Sequence, residues 1–312
     1  AQGVQAKQVN SKGEVYEHIY GLTTSQRVYG TVRENQLGHG PCYLQTSGIT
    51  SEQDQDLLKA YLNMAPSQTL KWIESGKMPG EQDVEIQGTE PYIVGGHTAS
   101  GFWVDTKRET TIHGLYAAGD VAGGCPQKYV TGALAEGKIA SLAIIEQLKA
   151  ASVEQTSTIE DQAQAVLNDY KKIRSTQNGL FTIDDLEEAM QKVMDEYAGG
   201  IASNYQFNEK QLKLAEEKIA RLNELAEQIG AEDMHELLFA YELKERLLVC
   251  QVLIEHLKNR KETRWHSFNE NLDHPEKDEK FEKYVNSRME DGKLHILFRD
   301  LVKGDTYEHT NS

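Results

Sequence analysis

The sequence predicts a mixed architecture, in which an α+β region and a short α/β segment precede an α-helical C-terminal domain. In residues 1–88, short apolar runs alternate with helical patterns, and in residues 89–150 short strand-like runs lead through glycine-rich turns into a helix. In residues 151–312 the composition changes and four long helical patterns follow one another. The 312 residues are sufficient for two or three domains of ordinary size.

The composition excludes several classes of function. A net charge of -16 argues against binding to nucleic acids or anionic membranes, because both would repel such a surface. No apolar run approaches the roughly 20 residues that span a bilayer, and no signal-peptide pattern is present. The three cysteines are far apart in the sequence, as in proteins of a reducing compartment. We therefore expect a cytoplasmic protein without a metal site or membrane span of its own.

The first region is expected to contain three helices and a strand. Residues 27–36 have helical character, and residues 42–45 read as a strand. A second helix is expected over 52–63 with Ser51 as its N-cap, and a third begins at Pro66. Residues 77–88 are polar and contain Pro79 and Gly80, so they are interpreted as a linker with a short edge strand at Val84–Ile86.

The most informative stretch runs from His113 to Ile139. Residues 115–118 predict a strand that is buried on both faces. Two further strands are predicted at residues 92–94 and 102–104. Gly119 would let the backbone approach a ligand, and Asp120 offers two acceptor oxygens at the strand's carboxyl end. A helix begins near Thr131 and Gly132, where free N–H groups would face an electron-rich ligand. An ordinary strand–loop–helix crossover explains this spacing equally well.

The C-terminal region predicts four helices, roughly over residues 155–174, 183–197, 208–229 and 234–260. The last of them carries a broad apolar stripe, in which Leu238 and Leu248 are included. Residues 264–312 are expected to be irregular, with five aromatic side chains as packing anchors: Trp265, Phe268, Phe281, Tyr284 and Phe298. Arg33 and Arg108 are interpreted as surface charges.

Several segments together resemble the fumarate reductase/succinate dehydrogenase flavoprotein superfamily, and within it most of all the alpha (flavoprotein) subunits of adenylylsulfate reductases. The resemblance rests on residues 91–97, 101–104, 110–120 and 126–140. The spacing of Arg27, Glu34 and Gly38-His-Gly-Pro41 resembles the capping domain of those subunits. Residues 262–265 and 273–278 resemble the superfamily's C-terminal domain.

The resemblance assigns a role to each region. Residues 1–88 would be the remainder of the capping (substrate) domain, residues 89–150 the closing segment of the FAD-binding domain, and residues 151–312 the helical C-terminal domain. The N-terminal half of the FAD-binding domain, with its dinucleotide fingerprint, would be missing from this chain. The resemblance implies that FAD is bound by seven residues: Gly96, Gly119, Asp120, Lys128, Thr131, Gly132 and Ala133.

The resemblance also implies a reaction, the reduction of adenylylsulfate to AMP and sulfite through a flavin N5 adduct. His97 and Arg27 would bind the anionic substrate, and an iron–sulfur, ferredoxin-like subunit would supply electrons. Fumarate reductases carry a His where this chain has Pro91 and a dicarboxylate-binding Arg where it has Lys128. A lysine cannot make the bidentate contact that an arginine makes with a carboxylate, so both departures favour the adenylylsulfate branch.

Two alternatives remain open at the level of sequence. The first is a sister flavoenzyme of the fumarate reductase, succinate dehydrogenase or aspartate oxidase type. The second belongs to another class, a non-catalytic helical scaffold subunit that pairs with other chains through its acidic helices.

Overall fold

The computed structural model describes residues 6–22, 24–87, 100–124, 130–150, 158–176, 180–264 and 269–301. The described residues divide into two compact units, one formed by residues 6–87 and the other by residues 100–301.

The first unit is built on a three-stranded antiparallel sheet. Its strands are β1 (Lys7–Val9), β2 (Cys42–Gln45) and β3 (Val84–Ile86), in the order β1-β2-β3. Its helices are α1 (Glu17–Tyr20), α2 (Thr24–Gln36), α3 (Ser51–Met64) and α4 (Pro66–Ser75). The strand and the three helices predicted from residues 27 to 76 are therefore confirmed, with Pro66 at the first helical position of α4.

The start of α3 differs from the expectation by one residue. Thr50, not Ser51, is the N-cap: its hydroxyl accepts a hydrogen bond from the Gln53 N–H (3.3 Å), and the Gln53 side chain accepts one from the Thr50 N–H (2.9 Å). This reciprocal capping box satisfies two backbone donors at once, which a serine one position later could not do with the same partner.

The interpretation of residues 77–88 as a linker is wrong for the part that the structure describes. β3 pairs with β2 at the sheet edge, as predicted for residues 84–86, with Val84 opposite Leu44. Val84 also packs against the buried Leu57 and Trp72. The Thr46 hydroxyl donates to the Gln82 carbonyl (3.0 Å), so the segment closes the first unit. The polar composition concealed this role because a half-buried edge strand needs few apolar residues.

The second unit consists mainly of helices. They are α5 (Val130–Ala150), α6 (Thr158–Ser175), α7 (Ile183–Tyr197), α8 (Glu209–Ala226) and α9 (Met234–Asn259). The four helices expected after residue 150 are confirmed within a few residues at each end. Two short parallel strands, β4 (Gln206–Phe207) and β5 (Glu270–Asn271), connect distant parts of the chain.

The core of this unit lies between α7, α8 and α9. It contains fully buried aliphatic side chains from all three helices, among them Leu186, Leu212, Ile219, Leu243 and Leu247. Each contributes about 1.5–3 kcal/mol by removal from water. The predicted stripe on α9 is only partly confirmed, since Leu238 and Leu248 are exposed. The buried side chains of α9, among them Leu237, Ala240 and Leu243, lie on one face of the helix, and Leu238 and Leu248 lie outside that face.

The expectation that residues 264–312 are irregular is wrong for residues 283–300. They form an antiparallel hairpin of β6 (Lys283–Glu290) and β7 (Lys293–Asp300), joined by Asp291 and Gly292. Both turn residues have positive φ (48° and 73°), as a type I′ turn requires, and Asp-Gly is a sequence signal for it. Phe281 is buried and its ring lies 5.9 Å from that of Phe298. Trp265 and Phe268 lie outside the described residues.

His256 joins the hairpin to α9. Its Nε2 lies 2.9 Å from the Ser287 hydroxyl on β6. Burial lowers the pKa of His256, and the positive charge of Arg260 acts in the same direction, against a weaker effect of Glu255. An unfolded histidine gains a proton as the pH falls through about 6.5, whereas folded His256 stays neutral to lower pH. The free energy of unfolding therefore falls as the pH is lowered.

We expect the wild-type protein to lose more free energy of unfolding between pH 7.5 and pH 5.5 than the His256→Gln variant does. Urea unfolding at the two pH values measures the difference, with His235→Gln, an exposed histidine on the same helix, as the control. An equal pH dependence of wild type and His256→Gln would contradict the assignment.

Candidate functional site

The turn at residues 119–121 packs directly against the first turn of α5. Gly119 is buried and has φ 74°, and a Cβ built on it would lie 3.3 Å from the Cβ of Ala133. Thr131, Gly132 and Ala133 follow Val130 at the start of α5, where backbone N–H groups have no partner inside the helix. The structure thus brings together the expected residues Gly119, Asp120 and the α5 start.

A neighbouring segment fixes this turn from the other side. The Phe102 N–H donates to the Val121 carbonyl (2.7 Å), and the Gly123 N–H donates to the Phe102 carbonyl (2.8 Å). Gly101 lies so close that a Cβ there would be 2.6 Å from the Ala122 carbonyl carbon. Asp120 is exposed within the turn that these contacts hold.

The strands expected at residues 102–104 and 115–118 are not regular strands. Residues 102–116 make isolated bridges instead: Phe102 with Ala122, Val104 with Thr110 and Glu109 with Tyr116. Leu115 is 47% exposed, which contradicts burial on both faces. A central strand needs a hydrogen-bonded neighbour along its whole length, and the described residues provide none here. The strand expected at residues 92–94 lies outside the described residues.

Arg108 attaches this bridged segment to α5. Its guanidinium makes a bidentate ion pair with Glu136, through Nε to Oε2 and through Nη2 to Oε1 (3.0 Å). Glu136 is buried, and Arg108 itself is mostly covered, so the interpretation of Arg108 as a surface charge is wrong. The signal that the sequence offered was an acidic residue, Glu136, that directly follows the small and apolar residues 132–135.

Two further contacts support the same attachment. The Lys107 Nζ pairs with Glu146 (2.9 Å) in an exposed ion pair, and the Tyr116 hydroxyl donates to the Gln147 side chain (2.7 Å). Arg108 has φ 72°, a left-handed conformation that costs a non-glycine residue on the order of 1 kcal/mol. The ion pair with Glu136 offsets that cost.

Much of the apolar surface of α5 is exposed in the described part of the chain. The exposed side chains lie along nearly its whole length: Val130, Leu134, Leu142, Ile145 and Leu148. A continuous apolar surface of this kind marks an interaction site rather than a solvated helix face.

Arg27 lies in the first unit, on α2. Its Nη2 is 3.4 Å from Glu17 Oε2, and its Nε donates to the Leu22 carbonyl (3.2 Å). The Arg27 side chain is 21% exposed, and these two contacts hold its guanidinium in position. This is the arrangement of an oriented arginine rather than a free surface charge.

The same unit contains a buried carboxylate that the sequence did not single out as a site. Glu34 accepts hydrogen bonds from Asn10 Nδ2 (3.1 Å), the Tyr20 hydroxyl (2.9 Å) and His39 Nδ1 (2.9 Å). Burial would raise the pKa of Glu34, but these three hydrogen bonds outweigh it and hold the pKa below its usual value. Burial, together with Glu34, raises the pKa of Tyr20 to about 12.

Three of the expected site residues, Gly96, His97 and Lys128, lie outside the described residues. Among the residues that are described, no three His, Cys, Asp or Glu side chains are grouped to hold a metal ion. Likewise, no helix in those ranges is long and apolar enough to cross a bilayer.

The buried ion pair predicts a large effect of one substitution. Arg108→Ala should lower the free energy of unfolding by roughly 3–5 kcal/mol, because Glu136 would remain buried without its partner. Lys107→Ala removes a neighbouring but exposed ion pair and should change the free energy of unfolding little. Urea denaturation of both variants measures the difference, and equal effects would contradict the role given to Glu136.

Comparison with known proteins gives consistent results. Residues 187–309 match a family model described as the fumarate reductase flavoprotein C-terminal region. The chain is 27% identical to adenylylsulfate reductase subunit alpha of Megalodesulfovibrio gigas, over 93% of this chain and 53% of that protein. The structure of adenylylsulfate reductase from Archaeoglobus fulgidus superposes with a TM-score of 0.80 at 26% identity, over 98% of this chain and 57% of that one.

A quinol fumarate reductase of E. coli superposes nearly as well, with a TM-score of 0.79 over 97% of this chain and 56% of that one. Its sequence identity is 20%, so this comparison shows a shared fold alone. The chain spans about half the length of the relatives that it matches. The resemblance seen in the sequence is thereby confirmed: residues 187–309 match the fumarate reductase flavoprotein C-terminal family, and adenylylsulfate reductase alpha subunits are among the proteins to which this chain is similar.

Proposed function

We propose that this chain is the C-terminal part of an FAD-dependent oxidoreductase subunit of the adenylylsulfate reductase type. The observation that carries the proposal is the contact between the Gly119 turn and the first turn of α5, in a chain similar to flavoproteins over nearly its whole length. Such a turn–helix junction presents backbone N–H groups and a carboxylate to one ligand.

The residues present fit FAD. Thr131, Gly132 and Ala133 offer N–H groups at a helix N-terminus, which suits the electron-rich N1/C2=O edge of a flavin. The exposed Asp120 carboxylate suits the ribityl or ribose hydroxyls, and by resemblance Gly96 and Lys128 add further contacts. FAD would supply the two-electron chemistry. The α5 N-terminus would stabilise the negative charge of the reduced flavin, by under about 1 kcal/mol where exposed and more where buried.

The apolar face of α5 supports a second element of the proposal. We infer that a part of the FAD-binding domain outside this chain covers this face, since the chain spans 53% of the adenylylsulfate reductase subunit alpha that it matches. The same part of the domain would also supply neighbouring strands to the bridged segment at residues 102–116, for which the described residues provide none.

The proposed reaction is the reduction of adenylylsulfate to AMP and sulfite. A phosphosulfate carries oxyanions that a guanidinium binds well, and Glu17 orients the Arg27 guanidinium. His97 is the second proposed anion-binding residue. Electrons would come from a ferredoxin-like iron–sulfur subunit, because the three cysteines of the sequence are too few and too scattered to ligate a cluster.

A sister activity on fumarate or succinate is the second candidate, favoured by the match of residues 187–309 to the fumarate reductase family. Pro91 and Lys128 argue against it, since a dicarboxylate site relies on the bidentate geometry of arginine.

The role of Asp120 can be tested in the assembled flavoprotein. Asp120→Ala should weaken FAD binding roughly ten- to hundred-fold, the equivalent of about 1.5–3 kcal/mol for a hydrogen bond to a charged group. Flavin fluorescence on dilution measures the dissociation constant, and Asp184→Ala, an exposed aspartate on α7, is the control. Unchanged FAD affinity would refute the assignment of Asp120, and absence of flavin from the wild-type assembly would favour the scaffold alternative.

The substrate can be tested with the same assembly and a chemical electron donor. We expect AMP and sulfite to form from adenylylsulfate, with no reduction of fumarate above the background rate. Chromatography of AMP and succinate measures both reactions in parallel. Turnover of fumarate but not of adenylylsulfate would reject the proposed reaction in favour of the sister activity.

A further inference from the structure

We propose that His39, held by the buried Glu34, is an additional oxyanion-binding residue of the first unit, which also contains Arg27. The inference rests on the proposed function for its substrate class, the phosphate or sulfate group of a nucleotide. The resemblance to known flavoproteins assigned no such role to His39.

The Glu34 carboxylate fixes the imidazole in one orientation. Its Oε2 accepts from His39 Nδ1 (2.9 Å) and from Asn10 Nδ2 (3.1 Å), while its Oε1 accepts from the Tyr20 hydroxyl (2.9 Å). With both oxygens held, the carboxylate cannot rotate away from the ring. An ionised carboxylate is an acceptor only, so Nδ1 must carry the hydrogen and Nε2 is the nitrogen left for a ligand.

The main chain holds the same residue from both sides. The His39 N–H donates to the Glu34 carbonyl (2.9 Å), and the His39 carbonyl accepts from the Ser11 N–H (2.9 Å). The His39 side chain is nevertheless 35% exposed, whereas that of Glu34 is 5% exposed. The arrangement therefore combines a fixed, buried carboxylate with an accessible ring, as in sites where a carboxylate orients a functional histidine.

The ring can bind an anion only in its protonated form, because the neighbouring carboxylates are negatively charged. Tyr20 keeps its proton because its pKa is raised, and Glu34 keeps its negative charge because its pKa is lowered. Glu14, which accepts from Asn10, is the other carboxylate of this network. Histidine is the residue type that changes charge between pH 5 and 8, so protonation of the ring would turn Nε2 into a charged donor paired with Glu34.

Arg27 and Glu34 belong to the same face of α2. Thr31 lies between them, and its hydroxyl forms a hydrogen bond with the Tyr16 hydroxyl (2.8 Å). The seven residues from Arg27 to Glu34 correspond to about 10 Å along the helix. Arg27 and His39 are thus two separate, individually oriented donors on one unit.

The experiment measures binding rather than turnover, with AMP and inorganic sulfate as probes of the assembled, flavin-loaded protein at pH 6.0 and pH 8.0. We expect His39→Ala to bind both probes about ten-fold more weakly than wild type at pH 6.0, and to lose most of the pH dependence of binding. FAD content should stay unchanged. His18→Ala, an exposed histidine on α1, is the matched control and should bind like wild type.

A second variant separates binding from folding. His39→Gln retains an amide N–H beside Glu34 but cannot titrate, so we expect a folded protein whose probe affinity is intermediate and independent of pH. If either variant is folded by circular dichroism and keeps wild-type affinity and pH dependence, the inference is wrong while the proposed function stands. If the flavin-loaded wild type binds neither AMP nor sulfate, the proposed substrate class fails and the inference fails with it.

Discussion

The contact between the Gly119 turn and α5 depends on a buried ion pair. Arg108 and Glu136 join the bridged segment at residues 102–116 to the middle of α5, and the segment in turn pairs with residues 121–123. Both charges of this pair are largely removed from water. A buried carboxylate without a partner is energetically costly, so Glu136 requires the bidentate contact with Arg108. A left-handed backbone at Arg108 is tolerated for this reason, and the start of α5 is thereby held against Gly119.

The C-terminal hairpin extends this support within the second unit. The Arg299 guanidinium lies 3.7 Å from the ring centroid of Trp103 and 5.1 Å from that of Tyr284, and its Nε donates to Asn286 (2.7 Å). Trp103 follows Phe102, the residue paired with the turn around Asp120. The region that seemed irregular in the sequence therefore stabilises the candidate cofactor site, and α9 anchors it through His256.

The two units differ in the kind of group that is proposed to contact a ligand. In the second unit the proposed cofactor contacts are backbone N–H groups and one exposed carboxylate, which need a rigid backbone. In the first unit Glu17 and Glu34 each orient a cationic or titratable side chain, Arg27 and His39, through direct contacts. Carboxylates placed behind such side chains fix their orientation, which a binding site for an anionic substrate requires.

The sequence by itself determined the helices from α6 to α9, the strand β2 and the turn–helix signal at Gly119 and Asp120, because these depend on local periodicity and turn chemistry. It did not determine the pairing of Arg108 with Glu136, 28 residues away, or the convergence of Asn10 and Tyr20 on Glu34, 24 and 14 residues away. It also misassigned the segment that contains β3 as a linker, and it predicted a regular buried strand at residues 115–118 that the structure does not contain. Those outcomes depend on which distant residues meet, and on which apolar surfaces find a partner. Only the tertiary structure decides both, because contact across a long separation leaves no period in the sequence.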